Sequence, residues 1–346
     1  MIDELNRIIE FYVERQKIPG AVLTIIENGI TTNTERFGYK SLIPEREKME
    51  IDDIFDVASL TKVIATWSSV MHMIDTMNIS LDLTLGELFG DRIKNKPVKD
   101  ITISNLLNHS SGFSIHSNLI EKKIPLEIII EEILNNPLLF KPGCSTVYSN
   151  RNYILLGEII KVITNYNVEE YSSKYIWTPL EMKDTMFNPN TELIKRVVPT
   201  EFIEGVSNCK RGVVHDENAL YMGGISGHAG VFSTIKDLTN FCIMICNDGY
   251  FNSKKVLDKK LIQKSLKAVN FKLGGKRGLC WDIIDADCGY YVGHTGFTGT
   301  SIYLNKRKKN AIILLTNSVH PNRSKQKNAN DLRREIRETS NKFSFL

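Results

Sequence analysis

Ile54-Phe55-Asp56-Val57-Ala58-Ser59-Leu60-Thr61-Lys62 is the stretch on which the reading of this chain turns. An apolar lead-in ends at Ser59, and Val63, Trp67, Val70, Met71, Ile74 and Met77 then recur at helical spacing. The pattern predicts a long helix with Ser59 in its first turn. Lys62 follows one turn later on the same face, its Cβ about 5–6 Å away. A hydroxyl at that place has unpaired backbone N–H groups and the positive end of the helix dipole around it, which favours the charge a serine nucleophile develops. A neighbouring lysine can take the proton only where burial disfavours its charged form, and the apolar surroundings of the turn suit that.

Ser-x-x-Lys alone does not single out Ser59, because it occurs four times, at Ser59, Ser207, Ser233 and Ser324. Order distinguishes it. Tyr148-Ser149-Asn150 lies in mid-chain and His294-Thr295-Gly296 near the C-terminus, both in contexts that suit a site.

At 346 residues the chain can bury a large core and form one big or two moderate domains. Its 42% hydrophobic and 24% charged residues are those of an ordinary globular protein. The net charge of +4 is spread out, and the densest basic run, Lys306-Arg307-Lys308-Lys309, reads as a solvated hairpin turn. Bases are not interleaved with aromatics, so no nucleic-acid partner is expected. The six cysteines (144, 209, 242, 246, 280 and 288) form no Cys-x-x-Cys pair, and free thiols point to a reducing compartment. The start of the chain reads as an amphipathic helix rather than a signal peptide, and no apolar run nears the roughly 20 residues of a membrane span. Those features predict a cytoplasmic protein; a leader missing from this sequence would instead place it outside the cytoplasm.

Leu5, Ile8, Ile9, Tyr12 and Val13 mark a first helix ended by Pro19-Gly20. Ala21–Ile26 and Thr31–Phe37 read as strands joined at Asn28-Gly29. Helical pattern then dominates to about Lys267, clearest after Ser59 and over Leu126–Leu134, Asn152–Ile163 and Lys236–Cys246. Strand character returns at Leu279–Ile284, Tyr290–Val292, Ser301–Leu304 and Ala311–Leu315, before a polar helix over Ala329–Thr339. Neither end has strands enough for a sheet of its own. The economical solution is an α/β fold: a mainly antiparallel sheet from both termini, flanked by helices, with a mostly helical region inserted. Residues 1–57 with 275–346 would form the sheet domain and 58–274 the helical one, with the active site in the cleft between them.

With its three motifs in this order, the chain resembles the serine β-lactamase and penicillin-binding protein superfamily. The nearest branch is that of class C β-lactamases, DD-carboxypeptidases and related esterases. His109-Ser110-Ser111-Gly112, Lys141-Pro142-Gly143 and Phe232-Ser233-Thr234 agree with that branch as well. The resemblance implies a β-lactamase/transpeptidase-like fold and a serine hydrolase working through an acyl-enzyme. It makes Ser59 the nucleophile, Lys62 its proton partner, and Tyr148 the base in acylation and the acid toward the leaving group. Asn150 would hydrogen-bond Lys62 and the substrate amide, and His294, Thr295 and Gly296 would lie along the acyl side. The backbone N–H groups of Ser59 and Phe297 would form the oxyanion hole. The same residues make chemical sense without the resemblance: a nucleophile, two proton-exchanging groups and a glycine-bearing strand that a substrate can approach.

Position 294 departs from most β-lactamases, which carry lysine there to hold a carboxylate. Histidine is mostly neutral at pH 7, so that grip is weaker. No residue stands out as a water-activating glutamate. The expected substrates are therefore D-amino-acid peptides of cell-wall type or small esters. The alternatives are a true β-lactamase, or a non-hydrolytic penicillin-binding sensor; β-lactams are candidate ligands in either case. An α/β-hydrolase is excluded, since no Gly-x-Ser-x-Gly elbow occurs. His215-Asp216-Glu217 and His228 match no helical metal-ligand pair, so no metal or other cofactor is expected. A subgroup of the family is similar across Arg211–Ala219 and Gly227–Gly230, and that resemblance implies a loop that borders the cleft and shapes substrate choice. His109 reads as part of a structural turn, and Asn150 also suits a helix cap.

Overall fold

The computed structural model describes residues 1–115, 124–125, 128–202, 209–270, 273, 275–286 and 289–346. Strands β1 (Gly20–Glu27), β2 (Ile30–Ser41), β3 (Glu47–Lys48), β4 (Asp282–Ala286), β5 (Gly289–Thr295), β6 (Ser301–Asn305) and β7 (Asn310–Thr316) form one antiparallel sheet. Its order is β3-β2-β1-β7-β6-β5-β4, so the two ends of the chain meet where β1 pairs with β7. Asn28 and Gly29, both at positive φ (54° and 78°), make the tight turn between β1 and β2.

The near-continuous apolar run of β1 is explained by burial on both faces. Ala21, Leu23 and Ile25 pack under the terminal helices Ile2–Glu14 and Gln326–Lys342, against Leu5, Ile9, Leu332 and Ile336. Val22 and Ile26 point the other way into the main core, which holds Trp67, Phe241 and Trp281. Trp67 is wholly buried, edge-on to Trp281 at 5.6 Å and to Phe241 at 6.3 Å, and its indole N–H donates to Ser265 Oγ. Removing a ring so placed costs about 3–5 kcal/mol.

The inserted helices largely match their sequence pattern: Ser68–Met77, Ile129–Asn135, Asn150–Thr164 and Ile235–Cys246. Leu126, where one was expected to start, lies outside the described residues, as do Ser207 and Cys288. Among the described residues Cys144, Cys209, Cys242, Cys246 and Cys280 form no disulfide. The Lys306–Lys309 run forms the β6–β7 turn, where Lys306 pairs with Asp248 at 2.7 Å. Among the described residues no helix is long and apolar enough to cross a membrane.

Three local differences from the pattern have physical causes. The helix after Ser59 is not continuous: a tight turn over Ala58–Leu60 is followed by a widened stretch over Lys62–Trp67, and α-helix begins only at Ser68. The Ile64 carbonyl there accepts from the Trp177 indole (2.9 Å) and from Ser68 Oγ (3.0 Å), and such side-chain competition loosens the normal ladder. Strand expected from Leu279 begins at Asp282, because Cys280 takes a φ of +82° and its N–H goes to Leu107. Finally, Phe55–Asp56, Val231–Ser233 and Met186–Phe187 pair into a small sheet beside Ser59, from strands too short to leave a periodic signal.

Candidate active site

Ser59 sits on a strained turn held from below by a carboxylate. Ala58, with no glycine's freedom, adopts a φ of +48°. Its N–H donates to Asp56 Oδ1 at 2.8 Å, while Asp56 Oδ2 accepts from the His215 N–H at 2.7 Å. Burial raises the Asp56 pKa against the pull of those donors. Lys62, wholly buried, donates from Nζ to Ser59 Oγ and to the His228 carbonyl, each at 2.9 Å. The sequence expectation that the serine and lysine meet is thus realised, although the turn is tighter than α-helix.

Tyr148 stands over this pair, with Lys62 Nζ 5.2 Å from its ring centroid. Its position depends on His109. The His109 carbonyl accepts from Val147 N–H at 3.0 Å, and its Nδ1 lies 3.2 Å from Ser149 N and 2.9 Å from Asn152 Nδ2. With two donors on Nδ1, the proton belongs on Nε2. The imidazole also faces the Tyr148 ring at 4.4 Å. Burial, and then the cations Arg277 and Lys62, push its pKa well below the usual histidine value, so it stays neutral. Arg277 lies against the Tyr148 ring, 5.4 Å from its centroid, and is paired with Asp282. Asp56, His109 and Arg277 were not among the expected site residues.

Asn150 opens the helix Asn150–Thr164 but does not cap it, and Ser149, its N-cap residue, makes no side-chain cap bond either. The expected bond between Asn150 and Lys62 is not formed: Asn150 Oδ1 is buried with no partner among the described residues, while Lys62 is spent on Ser59 and His228. Asn150 does line the cleft above Ser59.

The β5–β6 connection docks on the Ser59 turn. Thr298 Oγ1 donates to the Asp56 carbonyl (2.8 Å) and Thr300 Oγ1 to that of Val57 (3.0 Å). Only glycine fits at position 296, where a Cβ would come within 2.4 Å of the Val57 carbonyl and 2.2 Å of Thr300 Oγ1. Neither the Ser59 nor the Phe297 N–H donates to another described residue. Phe297 is half exposed at the cleft, its ring stacked on His215 at 5.6 Å. His294 is a different case: it is only 2% exposed and is not among the residues lining the cleft, and its Nε2 has no partner among the described residues. Burial, then Arg277 and Lys62, drive its pKa well down.

The cleft holds about 290 Å³ and is closed on its far side by His215, Asp216, Glu217 and Arg323. That loop borders the site as its sequence suggested. Its histidines diverge: His215 Nε2 meets Glu201 at 3.1 Å and His228 Nε2 meets Asp216 at 2.9 Å. Burial alone would raise the Asp216 pKa, but His228, the Ala219 N–H and Lys62 together hold it well below the usual carboxylate range.

A seven-stranded antiparallel sheet flanked by helices, with a cleft serine hydrogen-bonded to a buried lysine beside it, defines a serine hydrolase of β-lactamase/transpeptidase type. The chain belongs to the β-lactamase family, whose model matches residues 5–335. It is similar to an N-acetylmuramyl-L-alanine amidase of Bacillus subtilis (strain 168), 29% identical over 87% of this chain and 78% of that one. A Salmonella heidelberg (strain SL476) protein, provisionally named a D-alanyl-D-alanine carboxypeptidase, is 28% identical over 87% and 79%. Among solved structures, EstCE1, a hydrolase with promiscuous acyltransferase activity, superposes with a TM-score of 0.75 at 15% identity, covering 96% of this chain and 97% of its own. At that identity the likeness speaks for the fold.

Proposed function

We propose that Ser59 attacks the carbonyl of a cell-wall-type peptide containing D-amino acids, or of a small ester, and is released from the acyl-enzyme by water. The observation that carries this reading is Lys62 Nζ, buried and 2.9 Å from Ser59 Oγ, at the floor of a cleft also lined by Tyr148. In acylation the Ser59 proton passes to Tyr148, with Lys62 as proton partner, and Tyr148 then protonates the leaving group. The tetrahedral oxyanion is received by the N–H groups of Ser59 and Phe297, donors worth about 3–4 kcal/mol each in comparable sites. Asn150 takes the substrate amide, and His294, Thr295 and Gly296 shape the strand beside the acyl group. Residues 1–57 with 275–346 act as a sheet domain and 58–274 as a helical one, with the cleft between them. The names of the two relatives support wall-type substrates, and a neutral, buried His294 argues against efficient hydrolysis of carboxylate-bearing antibiotics. A cytoplasmic enzyme of this kind would act on recovered wall fragments.

Intact-mass measurement after incubation with a fluorophosphonate, and separately with penicillin, tests the reading. The expected result is one adduct mapped to Ser59, absent from Ser59→Ala, with the penicillin adduct persisting for hours and many turnovers of a p-nitrophenyl ester. Full esterase activity in Ser59→Ala overturns it.

A further inference from the structure

The nucleophile and the lysine are braced from a single dipeptide, His215-Asp216. Through its N–H, His215 holds Asp56 Oδ2, and Asp56 Oδ1 holds the strained Ala58 in front of Ser59. The next residue reaches the lysine. Asp216 Oδ1 accepts from the Ala219 N–H at 2.8 Å and lies 2.9 Å from His228 Nε2. An ionised carboxylate only accepts, so the proton of that contact belongs to His228 Nε2. On its other side His228 Nδ1 meets Ser226 Oγ at 2.8 Å, and the imidazole is wholly buried. Both ring nitrogens are therefore fixed, and with them the backbone of residue 228, whose carbonyl receives Lys62 Nζ.

We infer that Asp216 is a positioning residue that acts through His228 to hold the Lys62 ammonium against Ser59, rather than a residue that selects substrate. The inference rests on Ser59 and Lys62 being the reacting pair. A lysine has four rotatable bonds, and among the described residues its Nζ has two polar partners. A shift of the His228 carbonyl releases one of them, and Nζ leaves the line to Ser59 Oγ. Displacements of about 1 Å at such a contact are enough to slow chemistry by about a hundredfold. Substrate binding need not change.

The test compares Asp216→Ala, His228→Ala, their double variant and Asp216→Asn in the full chain. It reads the rate of fluorophosphonate labelling, and kcat and KM for p-nitrophenyl acetate. Each alanine variant is expected to lower the labelling rate and kcat by about 10- to 100-fold with KM within about twofold, the double variant being no worse than the poorer single one. Asp216→Asn keeps an acceptor for both donors and is expected to recover most of the rate. Raised KM with kcat intact, additive losses, or an Asn variant as poor as Ala would each overturn the inference. Should an alanine variant not fold, Asp216→Asn and Ser226→Ala carry the test. Ser226→Ala frees only Nδ1 and is expected to lose several-fold in kcat; wild-type kcat there overturns the relay. A Ser59→Ala protein that still labels would sink the nucleophile assignment itself. Full labelling of Asp216→Ala beside a silent Ser59→Ala sinks only this inference.

Discussion

The two walls of the cleft face the same serine and are built on opposite plans. The Tyr148 wall is braced by a neutral, buried imidazole and by main-chain bonds at residues 147 and 149. The rim of the facing wall, at Glu201 and Glu217, is tied by ion pairs that reach the surface, with Arg323 bridging the two. Neutral bonds in a dry place fix geometry with little dependence on salt, as the proton transfer proposed for Tyr148 requires. Surface ion pairs shape a rim and yield to ionic strength. On the proposed mechanism rate rests on the Tyr148 wall and on the buried His215-Asp216 base of the facing wall, while the rim of that wall is where charge is screened.

Tyr148→Phe strikes hardest at that division. It keeps the ring against His109 at 4.4 Å and removes only the hydroxyl. Ester kcat/KM should fall about 10²- to 10⁴-fold, with the melting temperature hardly moved. A variant retaining most of its kcat would strip this wall of its role.

His109→Ala comes next, because it acts one step removed. It leaves the Ser149 N–H and the Asn152 amide in a buried place without their acceptor, at a cost of about 1–3 kcal/mol each. A drop in kcat of roughly tenfold or more is expected as Tyr148 loosens, together with a lower denaturation midpoint. Destabilisation with kcat unchanged would reduce His109 to scaffolding.

Proton linkage separates the walls further. His109 and His294 are both held neutral by burial, so their folded-state pKa values lie below the unfolded value of about 6.5. Above that pH both states are neutral and nothing is lost. As pH falls below it, the unfolded chain takes up protons that the folded one refuses, and each histidine removes stability at up to about 1.4 kcal/mol per pH unit. Denaturation of wild type and His294→Asn at pH 7.5 and 5.5 isolates one such contribution: the gap between them should shift in the variant's favour on acidification. A gap independent of pH would mean that the imidazole takes up its proton as readily in the folded protein as in the unfolded chain.

How much of this was legible in the sequence follows from distance along the chain. Ser59 and Lys62 announce each other across one turn, and the strands at both ends carry their period of two in plain view. Helix and strand spans were read within a few residues wherever the apolar pattern was long. What escaped acts across long separations or through backbone shape. His109 works on residues about forty positions away, and Asp56 on His215. The positive φ of Ala58 has no residue-type signal at all, since nothing but tertiary contact would put alanine there. The Asp two residues before it, able to bond a nearby N–H, was the one available hint. Position 294 was legible as a departure in residue type; that it turns inward is a consequence of packing.

The smallest effect expected is at Arg323, and it tests the other half of the comparison. Arg323 donates to Glu201 at 2.8–2.9 Å and to Glu217 at 2.6 Å, yet its side chain is 43% exposed and Glu217 is 50% exposed. Pairs this open to water contribute about 0–1 kcal/mol. Nor does Arg323 touch the contacts that hold Ser59, Lys62 or Tyr148. Arg323→Ala should therefore leave kcat for an uncharged ester within about threefold of wild type, a change that shrinks in 0.5 M salt because the Debye length there falls to only about 4 Å. Assaying a neutral and a carboxylate-bearing ester side by side sharpens the point: a loss confined to the charged one marks the rim as a charge filter. A loss of several hundredfold on the neutral ester, insensitive to salt, would mean that the rim too is part of the reacting machinery, and the division between dry interior and charged rim would not stand.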